Sequence, residues 1–335
     1  MKIADFDFIL PEDLIAKRPL EYRTGSRLLV LHRDGAVEHR NFSDLPAYLR
    51  RGDMLILNNT KVFPARLTGF KENGGRLEIL LLRDKGDDTW EILSRGKFTG
   101  ILKVSDELRA DVRNGQTAHL EYKGDLRDTI WRCGKMPLPP YIRRLPDEHD
   151  KLTYQTVFAK EEGSVAAPTA GLHFDGHLLK EISGLGVSVM ELTLHVGIGT
   201  FRPVRAEYVE EHVMDSEYFE MDRGLISAIE RTRASGSRVI SVGTTTTRAL
   251  EGYFSGHCSA VSDNGKLRGQ TDIFIYPGYS FRVVDSIVTN FHLPRSTPLM
   301  LASAMAGRQN LLNAYQDAVA GKYRFLSYGD AMLIL

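Results

Sequence analysis

Three histidines of the sequence stand in short apolar segments that turn sharply at a glycine or a proline: His173, His195 and His292. A turn without a function is more commonly solvated and rich in Asp, Asn or Ser. An imidazole has a pKa near neutrality, so it can act as a general acid or base when a rigid segment presents it to a substrate. A structural turn around a core histidine is the alternative explanation for any one segment. Because the pattern occurs three times, we predict that the three side chains line one cleft.

Small, aromatic or conformationally special residues flank two of these histidines. They are Pro168, Thr169, Gly171 and Phe174 around His173, and Gly197, Gly199, Thr200 and Phe201 after His195. Glycine tolerates backbone conformations that other residues avoid, and it leaves room for a neighbouring group. We therefore expect these positions to bind substrate. A Gly-x-Gly pair without a third glycine that opens a helix is by itself a weak signal.

Four threonines, residues 244–247, follow the predicted strand 239–242 and begin a predicted helix. The free N–H groups and the positive dipole end of a helix favour phosphate, carboxylate or ribose hydroxyls there. We assign Thr244, Thr245 and Arg248 to substrate binding; helix capping alone would explain only one of the threonines. Other polar candidates for substrate binding are Asn59, Asn290 and Arg295. Asp272 begins a predicted strand, and we expect it to orient one histidine or to hold a ribose hydroxyl.

The charge balance restricts how the chain could bind a nucleic acid. Lys+Arg and Asp+Glu both number 43 in 335 residues, so the net charge is zero and binding requires a local patch. The candidate patch consists of Lys61, Arg66, Lys135, Arg143 and Arg144. A solvated linker is the alternative interpretation of the last two.

Two cysteines without metal-ligand spacing, and no signal peptide or membrane-spanning run, predict a reduced, cytoplasmic protein with no metal and no membrane partner.

The order of the predicted elements indicates an α/β main domain interrupted by an inserted small antiparallel β-barrel. We expect a layered mixed sheet with helices over residues 1–62 and 153–335, and the barrel over residues 63–152. The predicted barrel strands are 76–83, 89–94, 118–122 and 129–132. The predicted helices of the second part are 175–185, 224–234, 298–306 and 309–320, and the predicted closing strands are 323–326 and 331–335.

Several long motifs resemble one family, the S-adenosylmethionine:tRNA ribosyltransferase-isomerases of queuosine biosynthesis. The motifs are AAPTAGLHF at 166–174, LHVGIGTF at 194–201, TNFHLP at 289–294 and YRFLSYGD at 323–330, with shorter matches at 26–29, 58–62, 138–141 and 242–245. The resemblance covers essentially the full length. The chain departs from the family at Asp215, where a second histidine is usual, and at Pro298, where an aliphatic residue is usual. The first departure weakens any catalytic role for that missing histidine.

The resemblance implies a reaction and a fold. The ribosyl part of S-adenosylmethionine would be joined to the aminomethyl group of 7-aminomethyl-7-deazaguanine at the wobble position of tRNA. The sugar would rearrange to give epoxyqueuosine, and adenine and methionine would leave. S-adenosylmethionine would be a co-substrate with no bound prosthetic group, and we expect a monomer with an α/β domain and an inserted barrel. A sulfonium is favoured near aromatic faces, for which Phe174, Phe201 and Tyr276 are candidates.

Two other functions compete with this one. A phosphoryl- or acyl-transferring enzyme would use the threonine-rich helix start, but the chain lacks a complete Gly-x-x-x-x-Gly-Lys-Ser/Thr loop and a Gly-x-Ser-x-Gly elbow. A non-catalytic RNA-binding module would read RNA with the barrel and would leave the three histidine segments unused. An assay for the release of free adenine distinguishes both of these functions from ribosyl transfer.

Overall fold

The computed structural model describes residues 1–197, 199, 204 and 206–335. Thr200 and Phe201, two of the predicted substrate-binding residues, lie outside the described residues. The described strands are β1 (Arg27–Leu31), β2 (Val37–Asn41), β3 (Met54–Asn58), β4 (Thr60–Val62), β5 (Arg66–Lys71), β6 (Arg76–Asp84), β7 (Thr89–Ser94), β8 (Gly100–Lys103), β9 (Leu108–Arg113), β10 (Thr117–Tyr122), β11 (Glu161–Ser164), β12 (Ser188–Leu194), β13 (Glu217–Asp222), β14 (Val239–Val242), β15 (Ser259–Asp263), β16 (Lys266–Thr271), β17 (Ser286–Asn290) and β18 (Ala331–Ile334).

A ten-stranded mixed sheet in the order β15-β16-β13-β12-β3-β14-β17-β18-β1-β2 forms the centre of the main part. Its central strands β12, β3, β14 and β17 are parallel, and β18 is antiparallel to β17. All five residues of β3 are buried, and the first four are apolar, as expected for a strand that is covered on both faces. The carboxyl ends of these parallel strands therefore meet along one edge of the sheet.

Helices cover both faces of this sheet. The described helices are α1 (Leu126–Cys133), α2 (Asp150–Thr153), α3 (Gly176–Gly184), α4 (Arg223–Ala234), α5 (Thr244–Phe254), α6 (Thr297–Ala306) and α7 (Arg308–Ala320), with 3₁₀ helices at Ile3–Phe6, Glu12–Leu14, Arg23–Gly25, Phe42–Tyr48, Thr169–His173 and Val209–Glu211. Leu55 and Leu57 pack in the cluster with α3, while Met54 and Ile56 pack in the cluster with α4 and α5. This alternation along β3 gives a three-layered α/β arrangement.

A closed barrel in the order β10-β7-β6-β5-β8-β9 lies in the chain between β4 and β11. Its inward side chains, such as Leu67, Ile79 and Leu120, form their own buried cluster. All neighbouring strands of the barrel are antiparallel. The large mixed sheet with helices and the antiparallel barrel confirm the fold class predicted from the sequence.

Three predicted strands are wrong, and one of them is the strand predicted to begin at Asp272, where residues 272–276 form no described strand. Residues 129–132 belong to α1. The N-cap residue Asp125 accepts a hydrogen bond from the Asp128 N–H, and this cap starts a helix although the β-branched residues Thr129 and Ile130 favour a strand. Residues 323–326 form no described strand and contribute only an isolated bridge between Phe325 and Ile15. Asp222 precedes α4, but its side chain makes no capping hydrogen bond in the described structure.

Candidate active site

A cavity of about 1330 Å³ lies between one end of the barrel and the carboxyl edge of the main sheet. Phe63 and Trp90 contribute from the barrel side, and His195, Tyr218 and Arg248 from the main part. Ligands of open α/β sheets bind outside the carboxyl ends of the strands. The volume of this cavity exceeds the roughly 300–1,000 Å³ of typical small-molecule pockets.

His195 reaches this cavity directly after β12. Its Nδ1 lies 2.8 Å from Thr60 Oγ1, and its ring stacks on Tyr218 with centroids 5.9 Å apart. Thr60 Oγ1 also lies 3.4 Å from the Glu161 carbonyl oxygen, which only accepts. The hydroxyl can therefore donate to Glu161 and accept from Nδ1–H, which leaves the Nε2 lone pair available. Burial lowers the pKa of His195 below its usual value, against the opposing charges of Glu220 and Glu161, so the imidazole is neutral near pH 7.

Arg248 lines the cavity from α5, and it is almost fully buried. Its guanidinium pairs with Glu217 and donates through Nε to the Ile273 carbonyl oxygen at 3.1 Å. A planar guanidinium held by several acceptors keeps one orientation. The structure thus gives the cavity wall a fixed positive group beside the Glu217 carboxylate.

A smaller pocket of about 80 Å³ adjoins the large cavity, because Val196 lines both. Predicted substrate-binding residues on its lining are Pro168, Thr169, Thr244, Thr245 and Asn290, and His292 also lines it. The next two threonines along α5 point inward instead: Thr246 donates to the Val242 carbonyl oxygen and Thr247 to that of Gly243. Only the first two threonines of the run can therefore reach a ligand.

A buried chain of hydrogen bonds orders this pocket. Asn290 Nδ2 donates to the Leu326 carbonyl oxygen at 3.2 Å, which fixes the amide orientation because a carbonyl only accepts. The same nitrogen lies 3.0 Å from His173 Nε2, so Nε2 must accept and Nδ1–H donates to Ser26 Oγ at 2.7 Å. Thr169 Oγ1 donates to Asn290 Oδ1 at 2.9 Å. The Thr169 oxygen is thereby left as an acceptor.

His173 lines none of the described cavities, because it lies behind Asn290. It is 4 % exposed, and burial, with the nearby Arg324 and Arg23 charges, lowers its pKa to about 3. Both ring nitrogens already have partners. These two contacts hold the Asn290 amide and the His173 ring in fixed orientations, and the catalytic role of His173 stays a prediction.

His292 lies at the other side of the small pocket. Its Nε2 is 2.8 Å from Thr289 Oγ1, and its backbone N–H donates to the Tyr315 hydroxyl at 2.9 Å. Burial lowers its pKa to about 3, so its ring is neutral at physiological pH. His195 and His292 line two adjoining pockets, and His173 contacts Asn290 on the lining of the smaller one.

Four predicted site residues lie away from these pockets. Asp272 is exposed and pairs with His257 Nε2 at 3.2 Å, so it orients none of the three histidines. Asn59 donates to Glu191 at 3.2 Å and accepts from Thr193 at 2.7 Å between β3 and β12. Arg295 is exposed and pairs with Asp7. Phe174 is fully buried against Phe42, so it offers no face to a sulfonium.

Of the three glycines predicted to bind substrate, two line a cavity and one does not. Gly197 and Gly199 line the large cavity. Gly171 instead packs against the core, where an added Cβ would lie 2.7 Å from the Phe158 ring. Tyr276 contacts Phe274, with ring centroids 5.1 Å apart, and lines no described cavity.

Most of the predicted basic patch is engaged within the protein. Arg144 forms a buried pair with Asp150 at 2.7 Å, and Arg66 pairs with Glu78 at 3.0 Å. Arg143 is exposed but pairs with Glu12 at 2.7 Å. Lys61 lies 4.8 Å over the Trp131 ring and 3.9 Å from Glu162, and Lys135 is exposed. Arg144 is therefore held by a pair within the protein, and its contact with tRNA stays a prediction.

Sequence reasoning missed several residues of the large cavity. Trp90 and Tyr218 supply its aromatic faces, and His212 and Asp215 line the cavity beside them. Burial lowers the pKa of His212, against the charge of Asp215. Tyr218 lies two residues after Ser216 in a run without glycine or proline, so no local signal marks it.

Neither a metal centre nor a membrane span is found in the described part of the chain. Residues 1–197, 199, 204 and 206–335 contain no group of three or more His, Cys, Asp or Glu side chains placed to hold a metal ion. The helices formed by these residues include none with the length and apolar character needed to cross a membrane.

Comparison with known proteins defines the class of this site. The sequence model of the family described as "Queuosine biosynthesis protein" matches residues 3–334. S-adenosylmethionine:tRNA ribosyltransferase-isomerases from Thermodesulfovibrio yellowstonii and Halothermothrix orenii are each 50% identical to this chain, with 100% of both sequences covered. The crystal structure of S-adenosylmethionine tRNA ribosyltransferase from Thermotoga maritima is 35% identical, with a TM-score of 0.57 and coverage of 99% and 100%.

These full-length relatives identify the class of protein as a transferase. The chain belongs to the S-adenosylmethionine:tRNA ribosyltransferase-isomerase family of queuosine biosynthesis, as its motifs indicated, and it is an enzyme of the transferase-isomerase class.

Proposed function

We propose that this enzyme transfers the ribosyl moiety of S-adenosylmethionine to 7-aminomethyl-7-deazaguanine at the tRNA wobble position and isomerises it. The product is epoxyqueuosine, and adenine and methionine are released. Family membership supports the reaction class, and the cavity of about 1330 Å³ is the observation that carries the two-substrate reaction. We further propose that the enzyme acts as a cytoplasmic monomer, with residues 63–152 as the inserted domain.

The cavity between the barrel and the main sheet suits a tRNA base that is turned out of the stack of neighbouring bases. An enzyme that modifies a base must bring its target atom into a pocket, and this costs a few kcal/mol of unstacking for an unpaired nucleotide. Trp90 from the barrel and Tyr218 from the main sheet line the same cavity. These aromatic rings provide faces for the deazaguanine ring and for the sulfonium.

His195 is our candidate for the general base. The carbon next to the sulfonium must lose a proton, and a neutral imidazole with an open Nε2 can accept it. The lowered pKa favours the neutral form, and donation from Nδ1–H to the Thr60 hydroxyl would leave Nε2 as the acceptor. Such a group contributes roughly 10²–10⁴-fold to rate.

The small pocket is our candidate for the hydrogen-bonding part of S-adenosylmethionine. Thr169 accepts there, since its hydrogen already points to Asn290. Thr244 and Thr245 at the start of α5 suit ribose hydroxyls or a carboxylate. Arg248 holds its guanidinium on the wall of the large cavity, and His292 closes the far side of the small pocket as a neutral ring.

The test is release of free adenine by the purified chain supplied with S-adenosylmethionine and tRNA that carries the deazaguanine precursor. We expect tRNA-dependent adenine release, and a loss of about 10²-fold or more in kcat for His195→Asn, which keeps a donor near Thr60 but removes Nε2. His177→Asn, at an exposed histidine on α3, is the matched control and should retain parental rates. Absence of adenine release by the parent would exclude the proposed reaction.

A further inference from the structure

The barrel has a second end that faces away from the large cavity. Because its strands are antiparallel, the β5–β6, β7–β8 and β9–β10 connections lie together at this end. Cavity-lining residues Phe63, Leu82 and Trp90 come from the opposite ends of those strands. Strands of five to six residues span about 17–20 Å, so this end lies roughly that far from the cavity.

At this end of the barrel, cationic and aromatic side chains alternate in a row across three strands. Phe70 on β5 is directly opposite Arg76 on β6 and Lys103 on β8. Residues directly opposite one another in a sheet point to the same face, with Cβ atoms about 4.5–5.5 Å apart. Phe70 is 59 % exposed, so an aromatic face stands in solvent between two cations.

A second cation and aromatic pair adjoins this row. Lys71 Nζ lies 4.8 Å over the Phe98 ring, and Lys97 next to it is exposed. Nearby acidic groups are Glu72 and Asp106, the latter 2.7 Å from Lys103 Nζ. With the neighbouring Arg66–Glu78 pair on β5 and β6 included, five cations stand against three carboxylates, which leaves a local positive excess on a chain whose formal net charge is zero.

We propose that this surface, the barrel cap, binds a backbone segment of the tRNA substrate and stacks one of its bases; the barrel cap comprises Phe70, Lys71, Arg76, Lys97, Phe98 and Lys103. The inference rests on the proposed function, because tRNA is the nucleic acid that this enzyme must hold. Interleaved basic and aromatic side chains are the arrangement that binds exposed nucleic acid, with phosphates on the cations and a base on the ring. The distance from the cavity places the contact on nucleotides well removed from the wobble position.

Two cap variants separate stacking from charge in a direct tRNA-binding titration at several salt concentrations. For Phe70→Ala we expect tRNA affinity to fall about five-fold or more with an unchanged salt slope, since stacking contributes without releasing counterions. For Arg76→Ala with Lys103→Ala we expect the slope of log K against log salt to fall by about 0.7–0.9 for each phosphate that the variant no longer neutralises. Affinity for S-adenosylmethionine should stay at the parental value in both.

Matched controls lie on the main part of the chain. Tyr22→Ala removes an aromatic side chain that is 72 % exposed, and Arg231→Ala with Arg233→Ala removes two cations from α4. Both should bind tRNA like the parent. If both cap variants keep the parental tRNA affinity and the parental slope of log K against log salt, the proposal that the barrel cap binds tRNA is overturned. Cap-dependent tRNA binding in a chain that releases no adenine would instead refute the proposed reaction and leave this surface in place.

Discussion

Gly163 lies directly against the imidazole of His195: a Cβ added to this glycine would lie 2.7 Å from both Nε2 and Cε1. Gly163 belongs to β11, which pairs with β4, and β4 carries the Thr60 hydroxyl that contacts the other ring nitrogen. The proposed base is therefore held between two short strands that join the barrel to the main sheet. Its position depends on the absence of a side chain at residue 163.

Gly163→Ala should lower kcat by about 10²-fold, because a displacement of about 1 Å at the reacting group costs that much. The methyl group would push the ring away from its Thr60 contact or move β11. The measurement is the rate of adenine release at saturating substrates. Gly176→Ala is the control, since nothing lies within 4 Å of a Cβ added there. Equal rates for both variants would mean that His195 is not the proton acceptor.

The acidic limb of the pH profile should also report His195. Because burial lowers its pKa, the neutral form persists as the pH falls below the ordinary histidine value of 6.5. The plot of kcat/KM against pH should therefore contain an acidic limb whose apparent pKa lies below 6.5. The absence of any limb centred below 6.5 would contradict the assignment of this imidazole as the free-enzyme base.

The buried His173 should make stability depend on pH. Its folded pKa of about 3 is far below the unfolded value of 6.5, so the unfolded chain binds more protons between these limits. The stabilising contribution of the neutral ring is complete above pH 6.5 and is lost as the pH falls toward 3. His173→Gln should cost about 1–3 kcal/mol at pH 7, and the difference from the parent should shrink by pH 5.

Urea unfolding at pH 7 and pH 5 measures this effect, with the exposed His177→Gln as the control. A difference between parent and His173→Gln that stays constant from pH 7 to pH 5 would show that His173 is not buried as the neutral form.

Thr169 offers a test of the hydrogen-bond direction in the small pocket. Thr169→Ser keeps the oxygen that donates to Asn290 and accepts from a ligand, whereas Thr169→Val removes it. We expect KM for S-adenosylmethionine to rise about two- to ten-fold in the valine variant and to stay near the parental value in the serine variant. Equal KM values in the two variants would remove this hydroxyl from substrate binding.

Arg144 should contribute to stability. Its partner Asp150 is 1 % exposed and also accepts from the Tyr328 hydroxyl at 3.1 Å. Arg144→Ala would leave a buried, unpaired carboxylate, which costs about 3 kcal/mol or more. Arg143→Ala, at an exposed pair, should cost less than about 1 kcal/mol. Denaturant titration compares the two, and a parental midpoint for Arg144→Ala would contradict the buried pair.

The sequence predicted the layers of the fold because they follow from local patterns. The apolar run of β3 and the alternation of β6 are visible in the chain. The strand prediction for residues 129–132 is wrong because the cap at Asp125 lies outside the window that resembles a strand. Pairings such as β17 with β18 join distant residues, and no local pattern reports them.

The site was predictable where a motif carries a rigid turn, and less so where burial decides the role. His195 follows a strand at the cavity, as its segment suggested. Asn290 and His173 are 117 residues apart, so the contact between them could not be inferred from sequence spacing. Asp272 resembles a site acid at a strand start, yet its neighbour in space is His257 at the surface.

The central claim is ribosyl transfer, and isotope tracing tests it most directly. The purified chain is given precursor-bearing tRNA and S-adenosylmethionine labelled with ¹³C in the ribose, and the digested tRNA nucleosides are analysed by mass spectrometry. We expect the labelled carbons to appear in the wobble nucleoside, with one adenine and one methionine released for each modified tRNA. Unlabelled tRNA, or a methylated nucleoside formed together with S-adenosylhomocysteine, would contradict it.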